Sequence, residues 1–224
     1  MEGLEQIKAR VEAAVPGANI QIVQNASPSQ QYSLKIDNEH ARDIAKFLRD
    51  DPVLRLDFCS NVTGVDWLDR TLKRTVKVKK VVDGEEKEVD EATEEKIPGF
   101  LEAVYHLYSM THKHGPVIIR MQAADRAENA CLPSLTPVWR SAEFQEREIS
   151  DLYGLRFDGH PDLRRILMWD EFEDHPMRKD YREPDDYEYE PTPHDDVLAK
   201  AKEHYAPRPQ SDGAEGIVEG LKQV

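Results

Sequence analysis

The chain has 224 residues, with 30 Lys and Arg against 44 Asp and Glu and a formal net charge of −14. That length suits one domain with a long appendage, or two small ones at roughly 150 residues each, and so acidic a balance argues against sequence-independent nucleic-acid binding, which needs cations to neutralise phosphates. No run approaches the ~18 apolar residues that span a bilayer, Glu2 and Glu5 stand where a secretory signal would be apolar, and Cys59 and Cys131 form no CxxC, a cysteine usage that suits a reducing cytoplasm.

In chain order, Leu4, Ile7, Val11 and Ala14 recur at helical spacing until Pro16-Gly17 ends the pattern. Residues 19–24 and 32–36 read as short strands around a turn-rich stretch. Residues 37–49 predict a second helix, with Asn38 as N-cap, an apolar face of Ala41, Ile44, Ala45 and Leu48, and Asp50-Asp51-Pro52 closing it. Segments 56–62, 70–82, 97–110 and 116–122 read as strands. In 70–82 bases alternate with β-branched residues, as in a strand with one solvated face. The acidic run 84–96 reads as a solvated hairpin or loop that partly neutralises it. This order predicts an α+β fold, with helices packed on one face of a mixed or antiparallel sheet. The expected division is an α+β domain over 1–136, a helix with an extended partner-binding arm over 137–193, and a mobile acidic tail over 194–224 with at most a short helix at 197–205.

The helix at 137–153 holds the most information. Trp139, Ala142, Ile149 and Tyr153 share one face, and Glu146 falls in the middle of it. Along another side, Glu143, Arg147 and Asp151 form an i,i+4 ladder worth ~0.3–0.5 kcal/mol per exposed pair. A carboxylate in an apolar stripe needs a buried partner or takes a raised pKa. The partner expected for Glu146 is a cation, on this chain or on another protein. After the helix come two similar stretches, His160-Pro161-Asp162-Leu163-Arg164-Arg165 and His175-Pro176-Met177-Arg178-Lys179-Asp180. Long loops without regular structure are uncommon inside compact domains. Phe157, Leu163, Ile166, Leu167, Trp169 and Phe172, interleaved with Arg and Pro, predict an arm that drapes over another surface.

His160, Asp162, Asp170, Glu171, Glu173, Asp174 and His175 invite a metal-hydrolase reading, but they lack HExxH or calcium-loop spacing, and His112-Lys113-His114 reads as plain surface. With no P-loop, GxGxxG, GxSxG or cysteine cluster, the chain offers no catalytic constellation, and no cofactor or metal ligands are expected on it.

The run Glu146-Arg147-Glu148, then Asp151-Leu152-Tyr153-Gly154, Gly159-His160-Pro161, Leu163-Arg164-Arg165-Ile166-Leu167 and Pro176-Met177-Arg178-Lys179-Asp180 resembles the signature of the thirty-kilodalton subunit family of respiratory complex I, the C subunit of NADH-quinone oxidoreductase in bacteria. The resemblance covers about 137–181. Departures are Phe144 where Trp is common, Asp174 where Gly is usual, Arg182 where Pro often stands, and a long charged insertion at 83–96. The resemblance implies a non-catalytic scaffold subunit in the peripheral arm of a proton-translocating NADH:quinone oxidoreductase, on the cytoplasmic side of the bacterial inner membrane. Its implied partners are the large quinone-site D subunit and the iron–sulfur B and I subunits. NADH, FMN, iron–sulfur clusters and quinone are bound by other subunits. The positions so marked are Trp139, Glu146, Arg147, Glu148, Asp151, Gly154, His160, Pro161, Arg164, Arg165, Trp169, Phe172, Arg178, Lys179 and Asp180. Arg164, Arg165, Arg178 and Lys179 are expected to pair with acids on the partner, while Trp169 and Phe172 fill its pockets. The alternatives are the equivalent subunit of a membrane-bound hydrogenase or other quinone-reducing complex, a stand-alone metal-dependent hydrolase, and a free-standing acidic adaptor.

Overall fold

The computed structural model describes residues 3–25, 28, 31–82 and 85–182, with 73–82 and 85–93 as backbone. The tail expected over 194–224, its short helix and the end of the arm lie outside these residues.

Helix α1 (Leu4–Ala14) opens with the Gly3 N–H on the Gln6 side chain and buries Ile7 and Val11, one turn apart. Strands β1 (Ile20–Val23) and β2 (Ser33–Ile36) pair antiparallel. Helix α2 (Ala41–Asp50) buries Ala41, Ile44, Ala45 and Leu48, the face expected from spacing. Its start differs from the expected Asn38 cap. Asp37 accepts from the His40 N–H and ring Nδ1 at 2.8 Å each and from the Asn19 N–H, while the Asn38 amide reaches the Gln122 carbonyl. The helix therefore begins at Ala41 with His40 as its N-cap residue and no side-chain cap, because the Asn38 amide is taken up by Gln122 and Asp37 holds His40.

Strands β3 (Phe58–Trp67), β6 (Phe100–Ser109) and β7 (His114–Gln122) complete a five-stranded sheet in the order β1-β2-β7-β6-β3. It is antiparallel except between β2 and β7, hence mixed. Between β3 and β6 lies a hairpin of β4 (Arg70–Val82) and β5 (Glu85–Ile97). The acidic run is thus a strand, and the register sets Lys73 opposite Glu94, Lys77 opposite Asp90 and Lys79 opposite Glu88. Leu101, Ala103, Tyr105 and Leu107 of β6 join the helix-side core with Ile119 and Met121 of β7. On the opposite face Glu102 accepts from Arg120 at 2.9 Å and from the Trp67 indole at 3.0 Å.

Strand β8 (Cys131–Pro133) pairs parallel with β9 (Arg156–Asp158), bracketing a 3-10 turn (Arg140–Ala142) and α3 (Glu143–Tyr153). The predicted helix therefore starts later than residue 137. Residues 134–139 instead make a turn in which the Val138 and Trp139 N–H groups bond Leu135, and the Trp139 indole donates to Leu56 at 2.7 Å.

Candidate functional site

Helix α3 lies along β3, the edge of the sheet. Ser141 donates to the Cys59 carbonyl at 2.7 Å and the Gln145 side-chain Oε1 accepts from the Val62 N–H at 2.5 Å, so side chains take the place of a sixth strand. Gly64 permits this approach, since a Cβ there would sit 2.7 Å from the Tyr153 ring.

Glu146 points from α3 into the core and is fully buried. One oxygen accepts from the Tyr105 hydroxyl at 3.0 Å and the Leu135 N–H at 2.9 Å. The other accepts from the hydroxyls of Ser134 at 2.6 Å and Thr136 at 3.1 Å. The expected cation, on either side of an interface, is therefore corrected: neutral donors hold this carboxyl. Burial is the dominant influence and pushes its pKa up, against the four donors. Burial likewise raises the adjacent Cys59 thiol to about 12, which keeps it protonated and unreactive.

Asp151, one and a half turns later, is also buried but holds its charge. Oδ2 accepts from three successive backbone N–H groups, Ile166 at 3.0 Å, Leu167 at 2.8 Å and Met168 at 2.9 Å, and Oδ1 takes Arg165 at 2.7 Å. Burial pulls its pKa upward, yet the three amides and Arg165 outweigh it and the net shift is downward. Arg147 donates to the carbonyls of Arg164 at 2.9 Å and Arg165 at 3.0 Å, and its guanidinium lies 5.7 Å from the Phe144 ring centre. The predicted Glu143–Arg147–Asp151 ladder does not form, because loop carbonyls and amides offer Arg147 and Asp151 stronger, less solvated partners, while Glu143 pairs with Arg140 at 3.3 Å.

The two His-Pro stretches wrap the two ends of the helix. His160 Nε2 bonds the Glu143 carbonyl at 2.9 Å and Nδ1 accepts from the Asp162 N–H, which sets the tautomer with the proton on Nε2. At the far end Gly154 turns the chain at φ +71°, and a Cβ there would run into the His175 ring. The last carbonyls of α3 are then covered one by one: Ser150 by the Gly154 N–H, Asp151 by His175 at 2.9 Å, Leu152 by the Met177 N–H, and Tyr153 by Arg178 at 2.7 Å. The second stretch is thus a helix cap built from sequence 20 or so residues downstream.

A third fastening ties the end of the loop to the sheet. Arg126 grips both oxygens of buried Asp66 at 2.6 and 2.8 Å and reaches Asp180 at 2.8 Å, while the Lys179 N–H donates to Asp66. The Asp66 hydrogen bonds raise the Arg126 pKa further. The Lys179 ammonium lies 5.6 Å from the Trp67 ring centre. Asp66 and Arg126 are not legible in sequence: each lies in a short stretch of mixed charges with no motif, and nothing local links positions 60 residues apart. Among the marked residues, Arg164 forks onto Asp162 at 2.8 Å twice, which holds that carboxyl at about 2, and Phe172 is buried edge-on to Trp169. Glu148 and Pro161 are exposed. Among the described residues no three His, Cys, Asp or Glu side chains come together as metal ligands. Nor is any helix there long and apolar enough to cross a membrane.

This architecture defines the class of fold. It matches, at a TM-score of 0.52 and 18% identity, a chain in the structure of the membrane-bound sulfane sulfur reductase, an archaeal respiratory membrane complex, covering 94% of this chain and 96% of that one. A family description, "Respiratory-chain NADH dehydrogenase, 30 Kd subunit", matches residues 34–187, from β2 through the wrapped loop. Among curated relatives, the NADH-quinone oxidoreductase C subunit of Salinispora arenicola is 36% identical over 177 residues, 79% of this chain and 60% of that protein. The same-named protein of Roseiflexus castenholzii is 36% identical over 174 residues, 78% of this chain and 81% of its own. The chain belongs to the 30 Kd subunit family of the respiratory-chain NADH dehydrogenase. It spans about 60% of the length of the Salinispora relative.

Proposed function

We propose that this chain is a non-catalytic scaffold subunit in the peripheral arm of an NADH:quinone oxidoreductase, on the cytoplasmic side of a bacterial inner membrane. The observation that carries this reading is the family match across residues 34–187, which takes in every residue of the wrapped helix and its three fastenings. The relatives' shared name, the C subunit of NADH-quinone oxidoreductase, supports the choice of complex. In this role other subunits hold NADH, FMN, the iron–sulfur clusters and quinone and pump protons. This chain's charged side chains hold a fixed shape against which the quinone-site D subunit and the iron–sulfur B and I subunits assemble. The chemistry of the site fits that role. Glu146 and Asp151 are each surrounded by donors of their own chain, so they stiffen a surface rather than meet a substrate.

The test is an affinity pull-down of the full chain from solubilised native membranes, with mass spectrometry of what accompanies it. Recovery of the quinone-site large subunit with small iron–sulfur subunits is expected, and a co-purifying NADH flavoprotein would name the donor. Recovery of the chain alone, from the soluble fraction, would overturn the assignment.

A further inference from the structure

The loop's cations are engaged by groups of this chain, buried or not, while several of its carboxylates stand open to solvent, which reverses the charge expected of a partner. Arg165 is bound to Asp151, Arg164 to Asp162, Arg147 and Arg178 to backbone carbonyls, and Lys179 lies over Trp67. By contrast Glu148, Asp170, Glu171, Glu173 and Asp174 are exposed and none makes an ion pair within the described residues. Among these carboxylates stand large apolar side chains left open to water: Phe144 at 58%, Leu167 at 55%, Met177 at 52% and Trp169 at 37% exposure. Each is held in place by its backbone or its ring. The Leu167 N–H is on Asp151, the Met177 N–H is on Leu152, the Trp169 ring rests against Phe172, and the Phe144 ring lies beside Arg147. Apolar side chains presented by a preorganised loop lose little freedom on docking, and a rim of like charge selects a complementary surface.

We propose that the strip running from Phe144 through Leu167 and Trp169 to Met177 docks onto a protein surface with an apolar centre and a rim of Lys and Arg. This deepens the assembly reading above and rests on it. The partner is a basic-rimmed protein surface, not the acidic one that the Arg-rich sequence implies. Carboxylates at the rim steer and orient the encounter, while Leu167 and Trp169 supply the buried contact.

The experiment replaces the native chain by tagged full-length variants and measures how much stays with the complex purified from solubilised membranes. Circular dichroism melting of each purified chain controls for folding. Changing Asp170→Lys, Glu171→Lys, Glu173→Lys and Asp174→Lys together should lower retention at least ten-fold, and Leu167→Ser should do so without altering the melting curve. Arg164→Glu, at an exposed cation, should leave retention within two-fold. Wild-type retention should also fall as salt rises in the wash. Unchanged retention of the four-lysine variant, a larger loss for Arg164→Glu, or salt-indifferent wild-type retention would each overturn the proposal while leaving the assembly reading intact. A wild-type chain that never accompanies the complex overturns the assembly reading and this surface with it.

Discussion

Glu146 and Asp151 occupy one helix, both are buried carboxyls, and they respond to pH in opposite directions. Burial raises the Glu146 pKa, so the folded state favours its protonated form. Its contribution to stability is complete below the ordinary carboxylate range and is lost as pH rises through the raised value. Glu146→Gln removes that loss. The amide oxygen takes over from Oε1 for Tyr105 and Leu135, and the NH2 donates to the Ser134 and Thr136 hydroxyls, which rotate to accept. In urea denaturation the Gln variant should gain on wild type as pH rises above the ordinary carboxylate range. Glu146→Ala strands a buried N–H and three hydroxyls and should cost roughly 3–5 kcal/mol. Asp151 is lowered despite its burial, so its contribution is present above the unfolded value and fades as pH falls through the lowered one. Asp151→Ala should therefore cost about 3 kcal/mol at neutral pH and progressively less as pH falls below the ordinary carboxylate range. Hydrogen exchange at the Ile166, Leu167 and Met168 amides reads the same change directly.

At the scale of elements, α3 depends on the loop downstream of it. Eleven residues are marginal as an isolated helix, since nucleation is costly and short helices lack enough bonds to offset it. The terminal carbonyls here are closed by His175, Met177 and Arg178, so the helix and its loop fold as one unit. Gly154→Ala forces an L side chain into a left-handed position and into His175. It should cost at least about 1–2 kcal/mol and lower the melting temperature by several degrees. His175→Ala removes only the Asp151 carbonyl's donor and should cost about 1 kcal/mol, with faster exchange at the Met177 amide as the local signature.

For the whole molecule, the Asp66–Arg126–Asp180 junction joins the end of the loop to the sheet across more than a hundred residues of sequence. Arg126→Met leaves the Asp66 carboxylate buried with the Lys179 N–H as its remaining described donor, and should cost roughly 3–5 kcal/mol. Adding Asp66→Asn should recover part of that loss. A double-mutant cycle by chemical denaturation should return a coupling of at least about 1 kcal/mol. Additive costs would show that the two residues act separately.

The α+β class, α1, the buried face of α2 and the main strands are legible in the amino-acid order, because periodic burial is a local property that residues a few positions apart express together. Family membership is legible for a related reason: Glu146 to Asp180 is a fixed series of ionic, Gly and Pro positions within one short stretch. The partners of those ionic residues are not legible. Glu146 reads as needing a cation, yet the Ser134–Thr136 turn and Tyr105 supply neutral donors, the latter from a strand 41 residues away. Arg147 and Asp151 read as partners of each other because helical spacing makes them neighbours. The loop laid across that face brings amides and carbonyls that displace the pairing. Local pattern determines which residues lie on which face. Only the tertiary structure decides which donor meets which acceptor, because hydrogen bonds are short and directional and the chain that delivers them can arrive from any distance in sequence.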